Sequence, residues 1–205
     1  VYGNDVTNSE VDVISGFEIF NFGGGKDLFA GSSDADIVNG GAGQDELQGH
    51  AGNDVLKGGA DIDILLGGAG EDMLVNSDIA NEGPDFFHFF TTAADSASVG
   101  EDADTLQFSD ADLTGLAGFT PYNGGGETAL TLNDGFTDVE LVTGTGIQKA
   151  TGEGAAFLYN EDSGELSFDP DGTGGEDAII IGTLSSDGGP TRIDDLGAAD
   201  FGFVA

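Results

Sequence analysis

From Phe22 to Val75 the chain sets one large apolar side chain on every ninth residue: Phe29, Val38, Leu47, Leu56, Leu65 and Leu74. An aspartate stands two residues before each of them: Asp27, Asp36, Asp45, Asp54, Asp63 and Asp72. The residues before each aspartate are rich in glycine, as in GGAGQDELQ (40–48) and GHAGNDVLK (49–57). A period of nine matches neither the helical period nor the strict alternation of a strand. It fits a six-residue turn followed by a three-residue strand, with the eighth side chain pointing opposite to the seventh and ninth. Glycines in the turn supply positive φ and let backbones approach: Gly23, Gly41, Gly59 and Gly68 at the second position, Gly25, Gly43, Gly52 and Gly70 at the fourth. Ser32 and His50 replace the second glycine, and Asp34 and Asp61 the fourth. Two units then close one flattened coil of eighteen residues. Stacked coils place Asp27, Asp45 and Asp63 along one edge and Asp36, Asp54 and Asp72 along the other.

Outside this stretch the pattern changes. "VDVISGFEIFNF" (11–22) reads as lead-in strands, with Val13, Ile14, Phe17, Ile19, Phe20 and Phe22 covering the first coil. Solenoid ends need such atypical caps. After Val75 the clock stops, and 76–85 reads as a loop. "FFHFF" (86–90) then predicts one buried strand or two short ones, with His88 packed rather than acting as a base or ligand. Strand-like stretches follow at 102–113, 127–135 and 138–146, the last two forming a hairpin across Asn133-Asp134-Gly135, and then at 155–160, 164–169, 178–184 and 200–205. The chain divides accordingly into a lead-in (1–21), a roll (22–75) and an antiparallel β region (76–205). Within the roll, the seventh positions Ile37, Val55 and Met73 form an apolar column on the outer face. That column is a candidate docking surface, to be met by downstream chain or by a partner protein.

Charge changes the picture. The 205 residues carry 39 acidic side chains against four basic ones, a formal net charge of −35. No basic footprint exists for nucleic acid or an anionic membrane. Fifteen phenylalanines and 38% apolar residues argue against a disordered chain. Cysteine is absent, which removes disulfides and thiolate metal sites. No apolar run is long enough to span a bilayer as a helix. The chain opens on Val1 without a basic, apolar leader, and reads as part of a longer, processed or truncated protein.

Stacked carboxylates repel one another unless something neutralises them. Neighbouring turns on one edge offer two carboxylates and several backbone carbonyls, an all-oxygen set suited to Ca²⁺. Mg²⁺ dehydrates reluctantly and demands tight octahedral geometry. Softer metals want imidazole or thiolate. Ions are therefore expected between Asp27 and Asp45, Asp45 and Asp63, Asp36 and Asp54, and Asp54 and Asp72, with the turn glycines and Asp34 and Asp61 around them. A second candidate is "DPDGTGGED" (169–177), where Asp169, Asp171 and Asp177 alternate with glycines but no EF-hand glutamate follows.

The nonapeptide resembles the RTX (repeats-in-toxin) signature G-G-x-G-x-D-x-U-x, which residues 22–75 match. The lead-in Gly16-Phe17-Glu18 is similar to the segment before many such rolls. "FLYNEDSGELSFDPDGTGGEDAIIIGTL" and "LGAADFGFVA", with Asp200 ahead of Phe201, Phe203 and Val204, resemble the C-terminal region of secreted RTX proteins. The resemblance implies an all-β chain: a right-handed parallel β-roll holding Ca²⁺, then an antiparallel, sandwich-like unit ending in a secretion signal. It implies export by an ABC-type (type I) machine and folding in extracellular calcium. The reading is thus a calcium-dependent folding and secretion module of a larger exported protein, secreted or held at the cell surface. The alternative is an extracellular adhesive or surface-layer element whose Ile37, Val55 and Met73 face meets another protein. A third reading, a carboxylate-dependent hydrolase, has only the abundance of acids behind it. The two histidines, His50 and His88, form no H-E-x-x-H, and no G-x-S-x-G occurs.

Overall fold

The computed structural model describes residues 18–76, 79, 83–93, 103–109, 113–114, 129–131, 138–146, 154–172, 178–188 and 193–204. Val13, Ile14 and Phe17 of the lead-in, and Asp177, lie outside the described residues. The lead-in ends in β1 (Glu18–Asn21), and the repeats form β2 (Leu28–Ala30), β3 (Asp36–Ala42), β4 (Glu46–Ala51), β5 (Val55–Ala60), β6 (Ile64–Ala69) and β7 (Met73–Val75). Each strand pairs in parallel with the one after next, eighteen residues on: Ile37 with Val55 and then Met73, Glu46 with Ile64. Successive units therefore fall alternately on two sheets.

The sheets face each other across the eighth-position side chains. Leu47, Leu56, Leu65 and Leu74 are fully buried, and Phe20 and Phe29 close the first coil with ring centroids 4.7 Å apart. The seventh positions lie outside. Ile37, Val55 and Met73 are half-buried, and Ile19 extends their column at 51% exposure. Among the described residues, later strands continue the sheets edge to edge.

Parallel stacking runs past Val75. β8 (Asp85–His88) pairs with β6, and β9 (Thr105–Ser109) with β7. Phe87 and Leu106 thereby add to the inner column. The remaining strands are β10 (Ala129–Thr131), β11 (Asp138–Gly144), β12 (Ala156–Asn160), β13 (Glu165–Asp169), β14 (Ile179–Leu184) and β15 (Phe201–Val204). One sheet has six strands in the order β1-β3-β5-β7-β9-β15; the other has nine, β10-β11-β12-β13-β14-β8-β6-β4-β2. The second half is mixed rather than purely antiparallel. β12, β13 and β14 are antiparallel, while β11–β12, β14–β8 and β15–β9 are parallel. β14 and β15 thus carry the parallel direction of the roll on from its β8 and β9 edges. Phe157 packs between Phe108, Phe168 and Phe201, at centroid distances of 4.9, 4.8 and 5.1 Å, so one core runs through both halves. His88 is tied down, its Nδ1 2.7 Å from Ser185 Oγ, and its ring stacks on Phe86.

Candidate metal centre

From Gly41 onward the second and fourth positions of the turns have positive φ, which favours glycine, as at Gly59 (112°) and Gly70 (128°). His50 (78°) and Asp61 (80°) accept the same region in their place. The side chains of Asp34 and Asp61 are exposed at the turn surface rather than directed inward. The carbonyl of Gly23 accepts the N–H of Ala42 one coil on, at 2.9 Å.

The six repeat aspartates form two buried ladders. On one edge Asp27 N–H donates to Asp45 Oδ1 and Asp45 N–H to Asp63 Oδ1, both at 2.8 Å. On the other, Asp36 N–H donates to Asp54 Oδ1 at 2.7 Å and Asp54 N–H to Asp72 Oδ1 at 2.9 Å. The structure adds a rung to each that the periodicity does not reveal. Asp63 N–H donates to Asp85 Oδ1 and Asp72 N–H to Asp104 Oδ1, both at 2.9 Å. Asp85-Phe86-Phe87 and Asp104-Thr105-Leu106 keep the acid–x–apolar triplet, the one signal by which sequence reading could have found them.

The second carboxylate oxygens of Asp45, Asp54 and Asp72 are buried and meet no hydrogen-bond donor. Each turns toward the glycine that opens its own unit: Gly40, Gly49 and Gly67. A methyl group on Gly40 would run into Asp45 Oδ2 and lie 2.6 Å from the carbonyl oxygen of Gly58, one coil on. At Gly49 the same place faces Asp54 Oδ2 and, at 2.7 Å, the carbonyl of Gly67. At Gly31 it faces Asp36 Oδ2 at 2.7 Å and Gly49 O at 2.5 Å. Carboxylate and carbonyl oxygens of adjacent coils thus converge where first-position glycines leave room. Sequence reading assigned the second and fourth glycines to the site and overlooked the first.

Without a counter-charge four of the ladder carboxyls, Asp45, Asp54, Asp72 and Asp104, are harder to ionise than an ordinary aspartate. Burial foremost, then the neighbouring rung, raises Asp45 and Asp54 to about 6 against ladder N–H bonds that lower them. Asp72 and Asp104 rise to about 7, again chiefly by burial. Among the described residues no three His, Cys, Asp or Glu side chains converge, so an ion here would draw most of its oxygens from the backbone. An orphaned buried carboxylate oxygen beside an inward carbonyl fits a hard divalent cation. By contrast, Asp169 Oδ1 accepts the N–H of Gly172 at 2.9 Å and of Asp171 at 3.2 Å, which closes its turn with protein donors.

A parallel β-roll whose turns carry buried, stacked carboxylates defines a class: a calcium-binding repeat solenoid. The family model for the RTX calcium-binding nonapeptide repeat (four copies) matches residues 23–56 and, in a second register, 40–74. That stretch is an RTX-type calcium-binding nonapeptide-repeat region, forming part of the chain. Comparison with curated proteins finds no match. No helix among the described residues is long and apolar enough to cross a membrane.

Proposed function

We propose that the chain is a calcium-dependent folding module of an exported protein, with Ca²⁺ seated between Asp27 and Asp45, Asp45 and Asp63, Asp36 and Asp54, and Asp54 and Asp72. The observation that carries this reading is the buried second oxygen of Asp45, Asp54 and Asp72, left without a donor in a turn lined by carbonyls. When bound, the ion supplies positive charge to the stacked acids. The residues do the rest: ladder N–H groups orient each carboxylate, and first-position glycines keep the space open. In low calcium the like charges hold the chain extended, suited to passage through a type I exporter. Outside the cell calcium closes the coils. The acidic-then-apolar tail, Asp200 to Val204, is the segment proposed to be read by that machine.

The half-exposed column Ile19, Ile37, Val55 and Met73 favours a second reading, calcium-driven assembly at a cell surface. Light scattering after chromatography, with emission analysis of retained calcium, tests both. A compact monomer retaining several ions supports the folding module. Ordered oligomers growing with calcium support assembly, and a chain retaining no calcium overturns both.

A further inference from the structure

The two sheets leave the roll in different ways. Beyond β8 the nine-stranded sheet runs on through β14, β13, β12, β11 and β10. Beyond β9 the six-stranded sheet has one further strand among the described residues, β15. That strand is the apolar end of the tail: Phe201 pairs with Leu106, Phe203 with Phe108 and Val204 with Ser109. β9 in turn hangs on the last repeat. Met73 pairs with Thr105 and Val75 with Gln107. Thr105 N–H donates to Asp72 O at 2.8 Å, and Asp72 N–H to Asp104 Oδ1 at 2.9 Å.

Without β7, the six-stranded sheet keeps only β9 and β15 at this end. Two paired strands alone are marginal in water, whereas three or more over an apolar face can stand. β8 has β14 and the strands behind it for support, so the other sheet survives the loss of its roll neighbour β6. Ring packing does not replace the seat of the tail. Phe108, which both tail rings meet, is itself on β9. Once β9 lets go, Phe201 and Phe203 keep the ring of Phe157, at 5.1 and 6.4 Å. Ahead of them Asp200, buried, accepts the N–H groups of Ala93 and Gly197 and clamps the entry to the strand.

We infer that the tail, Asp200 to Val204, is a strap seated by the closing of the roll: docked on β9 when the coils are closed, released when they open. The inference rests on the reading that calcium closes the coils. A machine that reads the tail then meets it only on the open chain. Linkage makes the coupling reciprocal, so whatever frees the tail also weakens the hold of the roll on calcium. Hydrogen exchange of the full chain, followed peptide by peptide across a calcium titration, tests it. Protection at 201–204 is expected to appear with that of β3 to β7, at the same calcium midpoint, while β12 to β14 are protected throughout. A tail already protected in chelator, or still open in saturating calcium, overturns the strap and leaves the calcium-closed roll standing. A roll indifferent to calcium removes the folding-module reading and the strap together. Asp200→Ala unlocks the clamp without touching a repeat. In saturating calcium it is expected to speed exchange at 201–204 roughly tenfold, by the loss of a buried acceptor, while β3 to β7 stay protected. It is also expected to raise the calcium midpoint of the roll roughly fivefold. A freed tail with an unchanged midpoint overturns the coupling. If Asp200→Ala fails to fold, the titration of the native chain decides alone.

Discussion

In the repeat turns Asp45, Asp54 and Asp72 each bury a carboxylate whose second oxygen meets no N–H, whereas Asp200, just as buried, has both oxygens served by the chain itself. Asp200 accepts the N–H of Ala93 at 2.6 Å and of Gly197 at 2.7 Å, and Asp169 accepts two N–H groups of its own turn. The cores differ in the same sense. A roll coil buries two inner side chains per eighteen residues, while the C-terminal strands pack Phe108, Phe157, Phe168 and Phe201 ring against ring. One half thus leaves buried oxygens without a donor, while the other is closed by its own packing and donors. A buried acid is no evidence for a metal until its oxygens have been accounted for.

The largest expected effect is the removal of calcium. Hydrogen exchange in chelator should strip protection from β3 to β7 while β12 to β14 keep theirs; uniform loss would erase the distinction between the halves. Next comes Phe157→Ala, which should cost about 3–5 kcal/mol by cavity formation. Denaturant unfolding should show that loss alike with and without calcium. Asp54→Ala follows. It removes a ladder acceptor, which costs about 1–3 kcal/mol, and it disturbs ions on both sides. Asp27→Ala should cost less, since Asp27 sits on the first coil; equal losses in calcium-saturated melts would contradict the stacking scheme.

The smallest effect is a difference in sign with pH. Asp45 and Asp54 at about 6, and Asp72 and Asp104 at about 7, lie above the ordinary 3.8 in the ion-free fold. Between roughly pH 4 and 7 the ion-free fold binds more protons than the unfolded chain, so its stability rises as pH falls. In chelator the β signal of the roll should grow on acidification from pH 7 to 5. In calcium it should fall, because Ca²⁺ needs ionised ligands. The same slope in both conditions would mean these carboxyls do not hold the ion.

The roll was readable because its two demands repeat: glycine where φ is positive, and aspartate before an inward apolar residue. Its last coil was hidden by insertions. The step to the next rung grows to twenty-two residues at Asp85 and thirty-two at Asp104, and no fixed period survives that. The first-position glycines were overlooked for a different reason. Gly40 and Gly49 are required by what their missing side chain leaves open, and only coordinates show that space. The mixed pairing of β11 to β15 was likewise unreadable, since β14 and β15 take their direction from edges made by β8 and β9. At Asp169 the residues suggest an ion loop; the described part of that turn has Asp169 Oδ1 accepting the N–H of Asp171 and Gly172, and Asp177 lies outside the described residues.

The most direct test of cations between the coils is a calcium titration of the metal-free chain followed by far-UV circular dichroism, with magnesium as control. Ions seated between the coils would give a cooperative gain of β signal with Ca²⁺ that Mg²⁺ does not reproduce. Full β signal in chelator, unchanged by calcium, would contradict that seating.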